Sequence, residues 1–354
     1  MTTGIAVLNF GEPAEPEREA VVGYLERIFL ANMEIEGDTT PEEARERARS
    51  LAERRVPALL EEYEEIAGSP LNAHAEAQAE LLEAELTDRG YDVTTYRGFQ
   101  FMDPFVEDAA EAAHDDGVDQ LVGLPLYPLC GPSTTVQALE ELSAALDDLE
   151  WSPAYHEITG WHTHSAYLRL RADAIRRVLD QNGLELGEET RLVFSAHGTP
   201  TYYLDEGSRY VQYVEEYADV VNKMLGSPGY ELGYQNHANR DVEWTQPDVE
   251  EVVENLDAER IVVDPMSFMH EQSETLSELD IELREEAEEQ GMEFFRVPVP
   301  YDDERFIDLL ADLVEPFVAD FDPEYYGFQS CMCRDDPNAM CLNAGRNARA
   351  EREK

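Results

Sequence analysis

The sequence predicts an α/β fold built from two doubly wound, Rossmann-like parallel-sheet domains with an active-site cleft between them. Short apolar runs alternate with amphipathic helical patterns along most of the 354 residues, which is typical of parallel sheets covered by helices. This length suits two domains of ordinary size. A polar stretch at 147–153, which contains a Trp and a Pro, predicts the crossover between them. We therefore expect an N-terminal domain at 1–150, a C-terminal domain at 151–322 and a cysteine-containing extension at 323–354.

Each predicted strand is a short apolar run, and each predicted helix carries apolar residues three or four positions apart. In chain order the predicted strands cover 4–9, 92–98, 120–125, 154–159, 191–196, 230–235, 260–264 and 294–298. The predicted helices cover 19–31, 41–66, 75–89, 104–114, 136–146, 165–182, 207–225, 248–255, 271–289 and 304–319. Sites in such folds lie beyond the carboxyl ends of the strands. The loops at 9–13, 127–132 and 197–200 and the helix start at Glu274 are therefore candidate site positions.

The net charge of −52 is extreme, and 24 of the 26 basic residues are arginine because only Lys223 and Lys354 are lysines. So acidic a chain repels nucleic acid and anionic membrane surfaces. Molar salt shortens the Debye length to about 3 Å and screens the self-repulsion, so we infer a halophilic protein from a salt-rich cytoplasm. No run approaches the ~18 apolar residues of a membrane span, and the N-terminus lacks a signal-peptide pattern. We expect a cytoplasmic protein without stable membrane insertion; its oligomeric state stays open.

Glu274, Glu278 and Glu282 recur at every fourth position of one predicted helix. On an α-helix these carboxylates form a stripe about 12 Å long. Carboxylate oxygens bind divalent cations, so the stripe could pass a metal ion along the helix. With 78 acidic residues in the chain, a solvated helix face explains the same spacing, and the pattern alone leaves both interpretations open.

His197 follows a predicted strand and precedes a loop that begins at Gly198 and contains Pro200. A histidine with an ordinary pKa of about 6.5 can accept protons near neutrality. The alternative is a histidine that stabilises a tight turn through a hydrogen bond.

Six segments, in order and spacing, resemble the ferrochelatase family, whose members insert ferrous iron into a porphyrin. They are Leu-Asn-Phe-Gly-Glu-Pro at 8–13, Gly-Ser-Pro-Leu at 68–71, Tyr-Arg-Gly-Phe at 96–99, Ser-Ala-His-Gly at 195–198, Tyr-Gln at 234–235 with Trp244 and Pro247, and Glu-Thr-Leu-Ser-Glu-Leu-Asp-Ile-Glu at 274–282. The resemblance runs from about residue 4 to about residue 320. It implies a lyase of haem biosynthesis. Insertion of cobalt or nickel into a related tetrapyrrole and non-catalytic haem or porphyrin binding are the alternatives.

The resemblance implies that His197 takes the pyrrole protons with Glu274 as its partner. It also implies that both contact the substrate iron(II), and which of the two meets the metal first stays open. Glu278 and Glu282 then continue the path for the iron, on a helix that is partly of π type. Phe10, Ser69, Tyr127 and Trp244 are the predicted porphyrin-binding residues, with Leu126 as a further candidate for the cleft wall. For these aromatic residues, ordinary core packing is the alternative.

Several positions differ from the family pattern. The family's second histidine is replaced by Gln272, and His270 lies two positions early, so it takes no role. The arginine expected after Gly-Phe is Gln100, and Arg97 is expected on the opposite strand face, which leaves the propionate anchor open. Some coproporphyrin-type members carry a tyrosine where Phe10 stands. Protoporphyrin IX and coproporphyrin III therefore both stay open as substrates.

The chain has four cysteines, Cys130, Cys331, Cys333 and Cys341, and three of them lie within eleven residues. Clustered cysteines of a reducing cytoplasm often bind metal. The resemblance implies that these four hold a [2Fe–2S] cluster with a structural role. Zinc and buried thiols without metal are the alternatives.

Overall fold

The structure, a computed structural model, describes residues 2–13, 17–37, 40–237, 242–319, 322–331, 333–334 and 336–342. Its strands are β1 Thr3–Asn9, β2 Val93–Phe99, β3 Gln120–Pro125, β4 Ala154–Ile158, β5 Thr190–His197, β6 Glu231–Gln235, β7 Arg260–Pro265, β8 Glu293–Arg296, β9 Gln329–Ser330 and β10 Ala339–Cys341. Its α-helices are α1 Arg18–Ala31, α2 Pro41–Glu65, α3 Leu71–Asp88, α4 Val106–Asp115, α5 Gln137–Asp148, α6 Ser165–Asn182, α7 Thr201–Asp205, α8 Tyr210–Leu225, α9 Val249–Glu254, α10 Arg284–Glu289 and α11 Glu304–Val318. The other helical segments are the π-helices Pro132–Val136 and Glu274–Leu283 and the 3₁₀ turns Met33–Glu36 and Pro323–Tyr326.

Two sheets form the framework, in the strand orders β2-β1-β3-β4-β10-β9 and β6-β5-β7-β8. Every pairing is parallel except that of β9 with β10. Helices lie between nearly all successive strands, as crossover connections in parallel sheets require. The predicted α/β fold with parallel sheets is confirmed.

The first sheet continues past the predicted domain boundary at 150. Strand β4 pairs with β3 from Gln120 opposite Ala154 to Gly123 opposite Glu157. The C-terminal strands β9 and β10 then extend the same sheet beyond β4. Residues of all three predicted segments therefore contribute to this sheet, and the division into domains stays a prediction.

One continuous apolar core joins the two sheets. It contains Ile5 of β1, Val122 of β3, Phe194 of β5 and Val262 of β7, all fully buried. Helix α11 packs against α3 and α6 within this core. Because interiors are close-packed, this shared core fixes the two sheets relative to each other and thereby sets the width of the cleft between them.

Helices α1 and α2 pack against each other above the carboxyl end of β1. Thr40 and Glu43 form a capping box at the start of α2, with Pro41 at the first helical position, which stabilises that helix end. The buried faces of the pair meet Phe101 in a separate apolar cluster. This helix pair forms one wall of the cleft. No helix in the described parts of the chain is both long and apolar enough to cross a membrane.

Candidate active site

A cleft with about 1530 Å³ of empty space, its open mouth included, lies between the carboxyl ends of the two sheets. Most of the predicted site residues line it, namely Phe10, Leu126, Tyr127, His197, Trp244, Glu274 and Glu278. Glu282 lies outside it on the same helix, and Ser69 is not part of its lining. Largely apolar clefts with a few convergent polar groups are the usual binding sites for small molecules.

The wall formed by the first sheet is mainly apolar and aromatic. The Phe10 ring packs on Phe101, with 4.5 Å between ring centroids, and meets Tyr24 edge-on at 6.3 Å. The Tyr127 hydroxyl donates to Gln100 Oε1 at 3.2 Å. Gln100, which replaces an expected arginine, therefore orients a cleft tyrosine instead of adding a positive charge.

His197 ends β5 and points its ring into the cleft. Its backbone N–H donates to Ser267 Oγ at 2.9 Å, and its Nδ1 lies 2.5 Å from the Gly198 carbonyl oxygen. A carbonyl oxygen only accepts, so Nδ1 carries a proton and Nε2 is the ring nitrogen that takes up or releases the other one. Nε2 lies 2.9 Å from Glu274 Oε1. The imidazole is thus held ready to accept a proton or bind a cation through Nε2.

Gly198 allows this loop to approach the neighbouring β6 loop. A Cβ at this position would lie 1.9 Å from Asn236 Oδ1 and 2.8 Å from the Gln235 carbonyl oxygen. Any side chain there would force the two loops apart. A glycine after His197 is therefore required for the observed packing.

Glu274 is the first residue of the π-helix, and its side chain is 16% exposed. Gln272 donates through its amide to the second carboxylate oxygen, Oε2. Burial alone would raise the pKa of Glu274, but the charges of His197 and His237 and their hydrogen bonds lower it below its usual range. The carboxylate therefore stays ionised at the centre of the site.

His237 completes this centre, and the sequence analysis missed it. Its Nε2 lies 3.2 Å from His197 Nε2 and 3.3 Å from Glu274 Oε1. Burial opposes its positive charge, but the hydrogen bond to Glu274 and the charges of Glu278 and Glu274 raise its pKa to about 9. The sequence signal that could have found His237 is its position two residues beyond β6, the strand next to β5. Neighbouring parallel strands end at the same edge of a sheet, which is where sites form.

The acidic stripe continues outward along the π-helix, as the resemblance implied. Glu278 Oε2 accepts from Gln235 Nε2 at 2.9 Å, and burial together with repulsion from Glu274 raises its pKa to about 7. Glu282 is exposed and lines a second cavity with about 890 Å³ of empty space. Acidic residues from three elements line this cavity, namely Glu62, Asp248, Glu250, Glu278 and Glu282. The second cavity adjoins the cleft, because four residues line both spaces, namely Arg55, Glu62, His237 and Glu278.

Glu12 is a second site residue that the sequence analysis missed, although it lies within a matching motif. It is 4% exposed, lines the cleft and accepts hydrogen bonds from the Ser273 hydroxyl and backbone N–H. Burial raises its pKa to about 7, against the hydrogen bonds from Ser273 and Ser69. Ser69 also accepts from the Leu71 N–H at 3.3 Å at the start of α3. Ser69 was predicted to bind substrate, but in the structure it forms a hydrogen bond with Glu12 and stabilises the start of α3.

The four cysteines converge at the edge of the first sheet, away from the cleft. Cys331 forms hydrogen bonds with Cys333 and Cys341, which lower the pKa of its thiol despite burial. Cys130 and Cys333 line one common cavity, and the Tyr213 hydroxyl lies 3.2 Å from Cys333 Sγ. The fold thus brings the internal cysteine and the three C-terminal ones to one place.

Comparison with known proteins shows which family the chain belongs to. The ferrochelatase family model matches residues 2–317. The ferrochelatase of Picosynechococcus sp. is 37% identical over 321 residues, which cover 88% of this chain and 81% of that protein. The ferrochelatase of Synechococcus elongatus is 38% identical over 325 residues, with the same coverage of 88% and 81%.

Among solved structures, SirB from Bacillus subtilis with Fe³⁺ superposes with a TM-score of 0.50 over 91% of this chain and 99% of that chain. Its sequence identity of 11% supports a common fold alone. The family match covers most of the described chain, including strands β1 to β8 and the centre formed by His197 and Glu274. This chain belongs to the ferrochelatase family.

Proposed function

We propose that this protein inserts Fe²⁺ into a porphyrin in haem biosynthesis. One observation carries the proposal: His197 Nε2 lies 2.9 Å from Glu274 Oε1, and both side chains line a largely apolar cleft. A free-base porphyrin must lose two pyrrole N–H protons as the metal enters. A positioned base with a nearby carboxylate is suited to take up and stabilise such protons.

His197 acts as the proton acceptor through Nε2, because Nδ1 is committed to the Gly198 carbonyl oxygen. Glu274 stabilises the imidazolium that forms and passes the proton on. The net step consumes one Fe²⁺ and one free-base porphyrin and releases the metalloporphyrin and two protons. No electron is transferred, so the reaction needs no redox partner.

The cleft wall suits a flat, apolar macrocycle. Aromatic and aliphatic side chains line the space beside His197, namely those of Phe10, Leu126, Tyr127 and Trp244. Such residues bind planar ligands by burial and stacking. The ring nitrogens of a bound macrocycle then face the imidazole.

Arg55 bears on which porphyrin is the substrate. Within the described residues, it is the single Lys or Arg that lines the cleft, and its guanidinium already forms two bonds, of 2.6 and 3.0 Å, to Glu62. Four propionates would bring more negative charge than one shared arginine can balance. The lining therefore favours protoporphyrin IX, with two propionates, over coproporphyrin III.

Glu278 and Glu282 form the entry path for the metal. The second cavity adjoins the cleft and concentrates carboxylates, which bind Fe²⁺ weakly enough for it to move on. Fe²⁺ enters past Glu282, passes Glu278 and reaches Glu274.

A fluorescence assay tests the function. The protein, purified in high KCl, receives Fe²⁺ with protoporphyrin IX or coproporphyrin III, and loss of free-base fluorescence reports insertion. We expect turnover that His197→Ala abolishes, whereas His114→Ala, on the exposed surface of α4, keeps it. Porphyrin binding without loss of free-base fluorescence would identify a non-catalytic carrier. Turnover with Co²⁺ or Ni²⁺ but not with Fe²⁺ would identify a different chelatase.

The four cysteines hold a [2Fe–2S] cluster that links the C-terminal strands to the loop after β3. Four thiols are the usual ligand set for such a cluster. Zinc, which four thiolates also suit, is the rival occupant. Visible absorption with iron and sulfide analysis tests this, and a colourless zinc-loaded protein would overturn it.

The protein works in a salt-rich cytoplasm. Its net charge of −52 creates self-repulsion that molar salt screens. The free energy of unfolding should therefore rise with KCl concentration. Equal stability in dilute buffer and in molar KCl would contradict this inference.

A further inference from the structure

Two imidazoles, from different strands, point at one carboxylate oxygen. His197 lies at the end of β5, and His237 lies two residues past the end of β6. Their Nε2 atoms are 3.2 Å apart, and both are within 3.3 Å of Glu274 Oε1. The proposed base-and-carboxylate pair does not explain why a second histidine shares this oxygen.

We propose that His237 is a third ligand, beside His197 and Glu274, of the site that binds the incoming Fe²⁺ before transfer to the porphyrin. The site rests on the proposed function for its metal, and the third ligand follows from the geometry. His237 then supplies the second imidazole at the centre. Gln272, which stands where the resemblance predicts a histidine, donates an N–H to Glu274 and does not ligate through that atom.

The spacing of the donor atoms fits one first-row metal ion. Ligands at about 2.1 Å from a metal lie about 3.0 Å apart in an octahedron and about 3.4 Å apart in a tetrahedron. The three measured separations, 2.9, 3.2 and 3.3 Å, lie close to this range. Two histidines and one carboxylate are a typical set for Fe(II), and they leave positions open for other ligands.

Groups behind the ligands orient both imidazoles. His197 Nδ1 donates to the Gly198 carbonyl oxygen, and His237 Nδ1 faces Glu278 Oε1 at 3.8 Å. Carbonyl or carboxylate partners of this kind direct the opposite ring nitrogen toward a metal. The Trp244 ring packs edge-on against His237, with 5.7 Å between centroids. Each Nε2 therefore faces the same point.

The β6 loop that carries His237 is fixed where it leaves the strand. The Asn236 side chain donates to the Thr245 carbonyl oxygen at 2.8 Å and to Asp248 Oδ2 at 3.2 Å. Gln235 donates to the Glu274 carbonyl oxygen at 3.0 Å and so joins this loop to the π-helix. His237 is therefore placed by two neighbouring residues and not by its own contacts alone.

Co²⁺ alone is the probe, because its ligand-field absorption changes with the coordination number and with the donor atoms that bind it. The experiment uses the protein as purified, with its cysteines in their native state, in high KCl and without porphyrin. We expect one Co²⁺ to bind at this centre. His237→Gln should weaken binding by at least about tenfold and change the visible band. The control His114→Gln replaces a histidine outside the cleft and should change neither the Co²⁺ affinity nor the visible band.

A relocation variant separates a ligand from a merely structural residue. His237→Gln combined with Gln272→His returns an imidazole to the same carboxylate and should recover much of the Co²⁺ affinity. Unchanged affinity and spectrum in His237→Gln would overturn the proposal, whatever the insertion assay shows. Co²⁺ binding that depends on His237, in a protein that inserts no iron, would instead contradict the proposed function and leave this site standing.

Discussion

Glu12 and Ser273 are 261 residues apart in the chain, yet the Ser273 hydroxyl and backbone N–H both donate to the Glu12 carboxyl group. Ser273 directly precedes Glu274, so a residue from the loop after β1 holds the start of the π-helix. Beside it, His270 Nε2 lies 2.9 Å from Asn9 Oδ1, another buried contact between the same two segments. The position of the Glu274 carboxylate thus depends on contacts between segments that follow strands of the two sheets.

The buried Glu12 carboxyl should make stability depend on pH. Its pKa is about 7 in the folded protein, against 4.5 for the exposed group, because burial disfavours the charge. Between these values the folded protein holds a proton that the unfolded chain has lost, so stability falls as pH rises from about 4.5 to 7. Glu12→Gln removes this effect. Between pH 5 and pH 8 the wild type should lose about 2–3 kcal/mol relative to Glu12→Gln in denaturant unfolding.

The matched control for this prediction is Glu285→Gln on the exposed surface of α10. Its unfolding free energy should run parallel to that of the wild type across the same pH range. If the unfolding free energy of Glu12→Gln also ran parallel to that of the wild type, Glu12 would be ionised in the folded protein. Our assignment of a protonated Glu12 would then be wrong.

The secondary structure was largely predictable because it depends on local patterns. All eight predicted strands are present, since their apolar runs have to be buried in a parallel sheet. Strands β9 and β10 were missed because they have two and three residues and carry no pattern of their own. β10 pairs with β4 and β9 pairs with β10, so both strands depend on tertiary contacts.

The site was only partly predictable, for a related reason. His197, Glu274 and Glu278 lie in continuous motifs and are brought together as predicted. His237 and Glu12 acquire their roles only when loops from different strands meet, and one sequence does not show which loops meet. Ser69 lies in a matching motif, but its hydroxyl is directed to Glu12 and α3 instead of the cleft lining.

Substitution at the catalytic pair should reduce turnover and leave porphyrin binding intact. Glu274→Gln keeps the side-chain shape but removes the charge that stabilises protonated His197, so we expect kcat to fall by about 10²–10⁴. The dissociation constant for porphyrin, measured by fluorescence quenching, should change little because Phe10 and Trp244 remain. A variant that lost porphyrin affinity but kept kcat would contradict this assignment.

Substitutions in the acidic path should affect the metal more than the porphyrin. Glu278→Gln and Glu282→Gln each remove a carboxylate that lines the second cavity. We expect the KM for Fe²⁺ to rise about tenfold, or less for the exposed Glu282, at constant KM for porphyrin. Glu285→Gln, which is outside that cavity, is the control. Equal effects on both KM values would point to disruption of the helix and contradict a path.

Gly198→Ala should separate the two loops that carry the imidazoles. The new methyl group would lie 1.9 Å from Asn236 Oδ1 and 2.8 Å from a backbone oxygen, and the backbone oxygen cannot be relieved by a side-chain rotation. We expect a loss of about 1–3 kcal/mol in the free energy of unfolding and a fall in kcat, because His237 moves with Asn236. Gly187→Ala is the control, since nothing lies within 4 Å of a Cβ there. Unchanged stability and unchanged Co²⁺ affinity in Gly198→Ala would contradict this prediction. They would show that the position of His237 does not depend on the close approach of the two loops.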